Sequence, residues 1–241
     1  MLNGKVALIT GGSRGLGRAL ARTFAENGAK VAFSYSRDVA GAKATADAIG
    51  AQSKQFQVSV LDVPATEAMI AEIERDWGAI DILVNNAGVS QAMPLALMEE
   101  EDWDRVMDIN VKGTFLTSKS VLRGMIRRKR GVVLNVGSLV GVRMIEAPIH
   151  YCASKAAIKG LTEALAKEVA RYGIRVICLA PGLLEDGVGR NLPDYRLADY
   201  LKHCSLGRLG GLNEVANFAA FLVSDANSYM SGETVVIDGG L

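Results

Sequence analysis

Cysteine is scarce in this chain: three residues in 241, at positions 152, 178 and 204, with no metal-ligand spacing among them. An odd, scattered set gives no disulfide framework and no thiolate metal site. An excess of one charge sign is missing too. Twenty-seven basic residues stand against 26 acidic ones, a net charge of +1, which argues against a dedicated nucleic-acid binder. No apolar run approaches the ~20 residues that would span a bilayer. The opening Met1-Leu2-Asn3-Gly4-Lys5 runs straight into a strand-like segment, leaving no room for a signal peptide. These absences lead us to expect a reduced, cytoplasmic protein. With 49% hydrophobic and 22% charged residues the composition is that of an ordinary globular domain. Folding such a chain removes roughly 70–75% of its unfolded surface.

What the chain does have is alternation. Short apolar runs at 6–9, 30–35, 55–60, 81–84, 132–136, 174–179 and 235–237 read as strands. Helical patterns fill the gaps at 15–26 and 39–49, after Pro64, from Glu99–Asp102 to about Met125, and along Ala157, Leu161, Leu165 and Val169. Strands separated by helix-length segments mean βαβ units and a parallel sheet covered on both faces. Right-handed crossovers then predict an α/β, single-domain, Rossmann-like, doubly wound parallel sheet of about seven strands over residues 1–241. Only residues 183–211 interrupt the alternation, and a long irregular stretch in a compact domain predicts a substrate lid.

Thr10-Gly11-Gly12-Ser13-Arg14-Gly15-Leu16-Gly17 lies between the first strand and first helix. Glycines there let the backbone turn tightly and approach a pyrophosphate, which rests on the positive helix N-terminus. Gly11, Ser13, Arg14, Gly15, Leu16 and Gly17 are therefore candidate dinucleotide ligands. Sites for NAD usually place a carboxylate at the end of the second strand to accept the ribose 2′-hydroxyl. Here Tyr35-Ser36-Arg37 stands in that place, with no carboxylate before Asp38. Arg14 and Arg37 suit a 2′-phosphate through charge-assisted bonds, which predicts NADPH/NADP+. Asp62, with Val63 beside it, is either an acceptor for the adenine amino group or a helix-preceding turn residue.

Tyr151 and Lys155 stand four apart, a spacing that puts both on one helix face. A phenol titrates near 10, and a neighbouring cation favours the phenolate, so the pair reads as an acid/base device. Ser138 lies thirteen residues before the tyrosine, and Asn110 lies further upstream.

Over essentially its whole length the sequence resembles the short-chain dehydrogenase/reductase family. The likeness rests on the 10–17 loop, Asn85-Asn86-Ala87-Gly88, Asn110, Ser138, Tyr151 with Lys155, and Pro181-Gly182, all in the family's order. The resemblance implies that Tyr151 is the general acid for carbonyl reduction. It implies that Lys155 lowers the tyrosine pKa and holds the nicotinamide ribose. Ser138 would donate to the substrate carbonyl, and Asn110 would support a water linking Lys155 to solvent. Asn86, Ala87 and Gly88 would line the adenosine side, and Pro181 and Gly182 the nicotinamide. Within the family the chain is most similar to the 3-oxoacyl-[acyl-carrier-protein] reductases, through Asp108-Ile109-Asn110-Val111-Lys112-Gly113-Thr114, Tyr151-Cys152-Ala153-Ser154-Lys155-Ala156 and Ser231-Gly232-Glu233-Thr234. That likeness implies reduction of 3-oxoacyl thioesters in fatty-acid or polyketide-type synthesis, and a homotetramer joined through the helices near 99–125 and 151–171. Reduction of another small ketone and a catalytically silent NADP-binding regulator are the rival readings. An intact set of acid and helpers counts against the second. Two positions depart from the pattern: Ile177 replaces the usual Asn, and Asp186 the usual Thr. A carboxylate can accept from a carboxamide NH₂ but cannot donate to its carbonyl.

Met93, Val140, Val142, Met144, Ile145, Leu183 and Leu184 give the expected substrate region an apolar lining that fits an acyl chain better than a sugar. Arg127-Arg128-Lys129-Arg130 is the one strong basic run. It reads either as a solvated helix C-terminus, where cations suit the dipole, or as a docking patch for an acidic carrier protein, extended by Arg171. The resembled reductases dock their partner with basic residues in these two regions; Lys129 matches one such place, and Tyr172 occupies the other. His150 has a structural or capping role, and Cys152 is a small packing residue.

Overall fold

The computed structural model describes residues 1–187 and 194–241. Seven strands run in sequence as β1 Val6–Thr10, β2 Lys30–Tyr35, β3 Ser53–Gln57, β4 Ile82–Asn85, β5 Gly131–Val136, β6 Ile174–Pro181 and β7 Thr234–Ile237. They form one parallel sheet in the order β3-β2-β1-β4-β5-β6-β7. The chain winds outward from β1 to one edge, then returns to β4 and winds to the other. That reversal opens a crevice between β1 and β4 at the C-terminal edge of the sheet, where doubly wound folds bind their ligands.

Strand side chains alternate between faces, so each inner strand feeds two cores. Ala7 and Ile9 pack with Leu20 and Phe24 of α1 (Gly15–Glu26) and with Ala216 and Ala219 of α8 (Leu212–Val223). Val6 and Leu8 pack on the opposite side, with Ile73 of α3 (Val63–Trp77), Met125 of α5 (Gly113–Arg128) and Val169 of α6 (Ile149–Val169). Each such fully buried side chain contributes about 1.5–3 kcal/mol. The remaining helices are α2 (Val39–Ile49), α4 (Glu100–Met107) and α7 (Asp194–His203).

Four placements differ from the sequence reading. β3 starts two residues earlier and ends three earlier than the expected 55–60, because it is an edge strand with no fully buried residue to mark its bounds. The long helix from Glu99 is interrupted by one π turn, Asp108–Lys112, which separates α4 from α5. The irregular stretch 183–211 contains α7; residues 188–193 of that expected lid lie outside the described residues. Helix α8 follows directly, with the Gly211 N–H donating to the Glu214 carboxylate at 2.8 Å.

A polar row crosses the half of the sheet from β4 to β7. Asn85, Asn135, Cys178 and Thr234 lie in register on β4, β5, β6 and β7. Asn85 Nδ2 donates to Ser118 Oγ and Asn135 Oδ1, both at 2.9 Å, and Asn135 Nδ2 donates to Thr162 Oγ1 at 2.9 Å. Both asparagines are buried.

Candidate active site

Every strand that carries a predicted site residue ends at the same edge. Ser138 follows β5, and the turn it opens lies against α6: a Cβ on Gly141 would stand 2.5 Å from the Lys155 carbonyl carbon. Only glycine allows that approach, and it fixes the serine relative to Tyr151 and Lys155 on the first turns of α6. Asn110 sits in the π turn, a distortion frequent at functional sites. Its side chain is buried and fully engaged. Oδ1 accepts from the Val89 N–H at 2.8 Å, and Nδ2 donates to the Val89 carbonyl at 3.0 Å and to Ser154 Oγ at 2.9 Å. Asn110 therefore clamps the loop after β4 to α6. Its main-chain carbonyl accepts from Thr114 Oγ1 at 2.8 Å and keeps a second lone pair with which to hold a water. On Gly88 of that same loop a Cβ would meet Asn110 Oδ1 at 3.3 Å and Lys155 Nζ at 3.7 Å. Asn110, Ser138, Tyr151 and Lys155 thus share one locality, with Gly88 against it.

Lys155 is 6% exposed, and its ammonium donates to the Val136 carbonyl at 2.8 Å. It lies 5.7 Å from the centre of the Tyr151 ring. Burial pushes its pKa down to about 8, while the neighbouring Cys178 thiol acts in the opposite direction. Burial also pushes the Tyr151 phenol up, and a hydrogen bond with the Ser138 hydroxyl opposes that rise. The ammonium packs on the ring and bonds to a backbone carbonyl, so desolvation of the phenol dominates. The result is a tyrosine held in its protonated form.

The glycine-rich loop is built to approach something closely. A Cβ on Gly17 would stand 2.0 Å from the Gly11 carbonyl oxygen and 2.5 Å from Asn86 Nδ2. Gly15, Leu16 and Gly17 form the first turn of α1, whose N-cap residue, Arg14, makes no side-chain cap bond. That leaves unsatisfied N–H groups and the positive helix end facing the crevice, the chemistry a pyrophosphate requires. Gly11 has φ +73°, a conformation glycine adopts readily, and its N–H donates to the Ser34 carbonyl at 2.9 Å. Thr10 and Arg18, to which the sequence reading gave no role, hold the loop. The Thr10 hydroxyl accepts from the N–H groups of Asn86 and Ala87, both at 3.0 Å, and Asn86 Nδ2 returns bonds to the carbonyls of Thr10 and Gly11. Arg18 donates to the Ser13 carbonyl at 2.6 Å and to Thr45 Oγ1 at 3.1 Å, tying the loop to α2. Arginine at the fourth helical position gave no spacing signal in the sequence.

At the end of β2 the side chains of Arg14 and Arg37 are exposed. Asp38, the nearest carboxylate, is spent as the N-cap of α2, accepting from the Gly41 N–H at 2.9 Å. Asp62 likewise caps α3, accepting from the Ala65 N–H at 3.0 Å, with Val63 as the first helical residue; this favours its turn-residue reading.

Pro181 ends β6 and Gly182 follows, its N–H bonded to the Ile237 carbonyl at 2.9 Å. The chain then enters the stretch expected to form a lid, where Tyr200 of α7 accepts from the Leu183 N–H at 2.9 Å. Leu184 bridges to Gly210, and Glu185 accepts from the Leu212 N–H at 3.0 Å, so the two ends of the excursion are stitched together. Asp186 Oδ1 accepts from the Gly187 N–H at 2.6 Å. Ile177 is fully buried in the apolar core, where its hydrocarbon side chain packs. In the basic run Arg128 donates to the Ile80 carbonyl at 2.6 Å, and Arg130 lies 3.7 Å from Asp225. Arg127 and Lys129 are exposed, as is Arg171, which stacks on Tyr172 at 5.2 Å.

Comparison with known proteins follows the same outline. A family described as "Enoyl-(Acyl carrier protein) reductase" matches residues 11–241. The 3-oxoacyl-[acyl-carrier-protein] reductase FabG of Escherichia coli is 40% identical over 238 residues, spanning 99% of this chain and 97% of that protein. Its counterpart in Vibrio cholerae is 40% identical over 240 residues, spanning 100% and 98%. Among solved structures, a 3-ketoacyl-(acyl-carrier-protein) reductase from Brucella melitensis complexed with NADH superposes with a TM-score of 0.93 at 33% identity, covering 100% of this chain and 99% of the other. A mutant short-chain dehydrogenase/reductase of Serratia marcescens gives 0.92 at 31% identity, covering 99% and 98%.

Proposed function

Because the chain belongs to the short-chain dehydrogenase/reductase family, we propose that it reduces the 3-oxo group of an acyl thioester to a 3-hydroxyl with NADPH. The observation that carries this reading is the convergence of Ser138, Tyr151, Lys155 and Asn110 beside Gly88, in a chain 40% identical end to end to 3-oxoacyl-[acyl-carrier-protein] reductases. NADPH, when bound, supplies the hydride. The Ser138 hydroxyl donates to the substrate carbonyl oxygen and fixes its direction. Tyr151 gives its phenolic proton to that oxygen as negative charge develops there, and the buried Lys155 ammonium stabilises the phenolate left behind. A phenol kept protonated by burial is in the state a reductase needs. Proton return to Tyr151 runs past Lys155, with the main-chain carbonyl of Asn110 as the holder of a connecting water.

The residues fit a nicotinamide dinucleotide at the glycine-rich loop, where Gly15 faces open space, and at the uncapped start of α1. Arg14 and Arg37, with Asp38 withdrawn into its cap, favour the 2′-phosphate form. Gly11, Ser13 and Gly15 to Gly17 hold the pyrophosphate; Asn86 to Gly88 face the adenosine half, and Pro181 and Gly182 the nicotinamide. Asp186 would accept from the carboxamide NH₂. The whole chain works as one NADP-binding domain, with residues 183–211 as its lid. Fatty-acid synthesis supplies the matching substrate, and polyketide-type chains carry the same 3-oxo thioester. Among the described residues no helix is long and apolar enough to cross a membrane, and all three cysteines are free thiols, which supports a cytoplasmic setting.

The decisive assay follows NADPH oxidation with acyl-carrier thioesters, CoA thioesters and free ketones. The carrier thioester should give the highest kcat/KM; a free ketone far ahead of both would overturn the substrate assignment. Tyr151→Phe should lose roughly 10²–10⁴-fold in kcat, the usual worth of general acid catalysis, while binding NADPH normally. Near-normal turnover in that variant would remove Tyr151 from the mechanism.

A further inference from the structure

Helix α6 begins at Ile149, and its N-cap is Pro148, which has no side-chain acceptor. The first N–H groups of a helix find no carbonyl one turn back. Here the N–H of Cys152 reaches the Pro148 carbonyl at 3.0 Å, so the N–H of Tyr151, one residue earlier, needs another acceptor. It is Nδ1 of His150, at 2.9 Å. The Tyr151 carbonyl is also held by a side chain, accepting from Ser154 Oγ at 2.8 Å, and that hydroxyl accepts from Asn110 Nδ2. The backbone of the tyrosine is thus anchored at both polar groups.

His150 is 0% exposed. Since Nδ1 accepts, the neutral ring carries its hydrogen on Nε2, and that buried atom has no protein partner among the described residues. The ionised side chain that acts on the ring from α4 is Asp102, whose oxygens accept from Gln91 Nε2 at 3.1 Å and the Glu99 N–H at 3.3 Å. From the preceding loop the Pro148 carbonyl faces it, and on its own helix Tyr151 and Cys152 adjoin it.

We propose that His150 is a positioning residue for Tyr151 that works only while Nδ1 is unprotonated, so that one protonation there releases the tyrosine's N–H and lowers turnover in acid. The inference rests on the reading of Tyr151 as proton donor. A proton on Nδ1 turns an acceptor into a donor facing a donor, and the ring must then turn to the Pro148 carbonyl. Burial opposes that proton, holding the imidazole below its ordinary range, and so does the positive end of α6; Asp102 favours it. The ring is therefore neutral at pH 7, and the change falls on the acid side.

The chain has two histidines, and the other, His203, is exposed, so ¹⁵N spectra of the imidazoles are readily assigned. At pH 7 His150 should show the Nε2–H tautomer, and on acidification the Tyr151 amide shift should move with the ring. An Nδ1–H tautomer, or a Tyr151 amide indifferent to the ring, would overturn the inference whether or not any ketone is reduced. In kinetics, wild-type kcat should fall in acid with the same midpoint at which the ¹⁵N spectra show His150 taking its proton, while His150→Asn, whose Oδ1 accepts without titrating, should fall less than about twofold over that span. His150→Leu, with no acceptor, should lose roughly tenfold in kcat at every pH with NADPH affinity unchanged. An acid limb that persists in His150→Asn, or full activity in His150→Leu, would also overturn it. A wild type that reduces no carbonyl would defeat the functional reading and leave the spectra to decide this one.

Discussion

Among the described residues Lys155 is an ammonium buried without a carboxylate partner, and that has a measurable cost. In the folded chain it titrates near 8, against an ordinary 10.5 when unfolded. Below pH 8 both states hold the proton and the folded protein bears the full penalty, about 3 kcal/mol. Between 8 and 10.5 the unfolded state binds more protons, so stability rises with pH across that window. Urea unfolding of the apoprotein should show wild type gaining on Lys155→Met as pH is raised from 7.5 to 9.5. A constant difference between the two would show that the lysine is not strongly perturbed. At the other end of the crevice, Arg37 is exposed, and the nearest acid is committed to capping α2. Arg37→Asp should lower kcat/KM for NADPH by roughly tenfold to a hundredfold and narrow the gap to NADH, because it exchanges a phosphate partner for a ribose partner. An unchanged NADPH/NADH ratio would place the 2′-phosphate elsewhere.

The elements work by touching at glycines. The turn that opens with Ser138 lies directly on the backbone of α6 at Gly141, where a methyl group would stand 2.5 to 2.8 Å from three main-chain atoms of Lys155 and Ala156. Gly141→Ala should therefore lower stability by about 1–3 kcal/mol, as overpacking does, and reduce kcat by moving Ser138 away from Tyr151. Thermal melts and turnover check the two effects, and a variant with wild-type values in both would refute the close contact. How far the sequence revealed such elements depended on periodicity. Strands such as 6–9 and 174–179 were legible because parallel strands buried on both faces are predominantly apolar. The π turn at Asp108–Lys112 was not, since Ile109 and Val111 keep the apolar pattern running through it. Helix α7 was hidden by the scattered glycines and proline around it, and α8 by the long irregular segment to which it is joined. The residues of the acid/base set were legible from their types and order. Their supports (Thr10, Arg18, Ser154) were not, because a side chain that bonds a distant carbonyl leaves no spacing to read.

In the whole molecule the two ends of the sheet divide the labour. All strands are parallel, so Thr10, Asn86, Ser138 and Pro181 gather at the C-terminal edge, whereas Arg127 to Arg130 precede β5 and Arg171 precedes β6, at the opposite edge. A six-residue strand spans about 20 Å, so a carrier docked on the basic run of one subunit stands far from that subunit's own site. The resemblance leads us to expect a homotetramer joined through α5 and α6. Phe115, 50% exposed on α5, and Trp103 on α4 offer apolar surface for such an assembly. Phe115→Glu should then shift the protein to smaller species in ultracentrifugation and raise KM for an acyl-carrier substrate, and Arg127→Glu with Lys129→Glu should raise that KM alone. Equal effects on a small thioester would argue against docking at this edge. The buried row from Asn85 through Asn135 and Cys178 to Thr234 has a consequence of its own. A parallel sheet must find its neighbours from distant parts of the chain, and a slip of one residue turns every side chain to the other face. In this sheet a slip of β4 or β5 would turn that strand's asparagine toward hydrocarbon and break the Asn85–Asn135 bond, so the row disfavours misaligned strands.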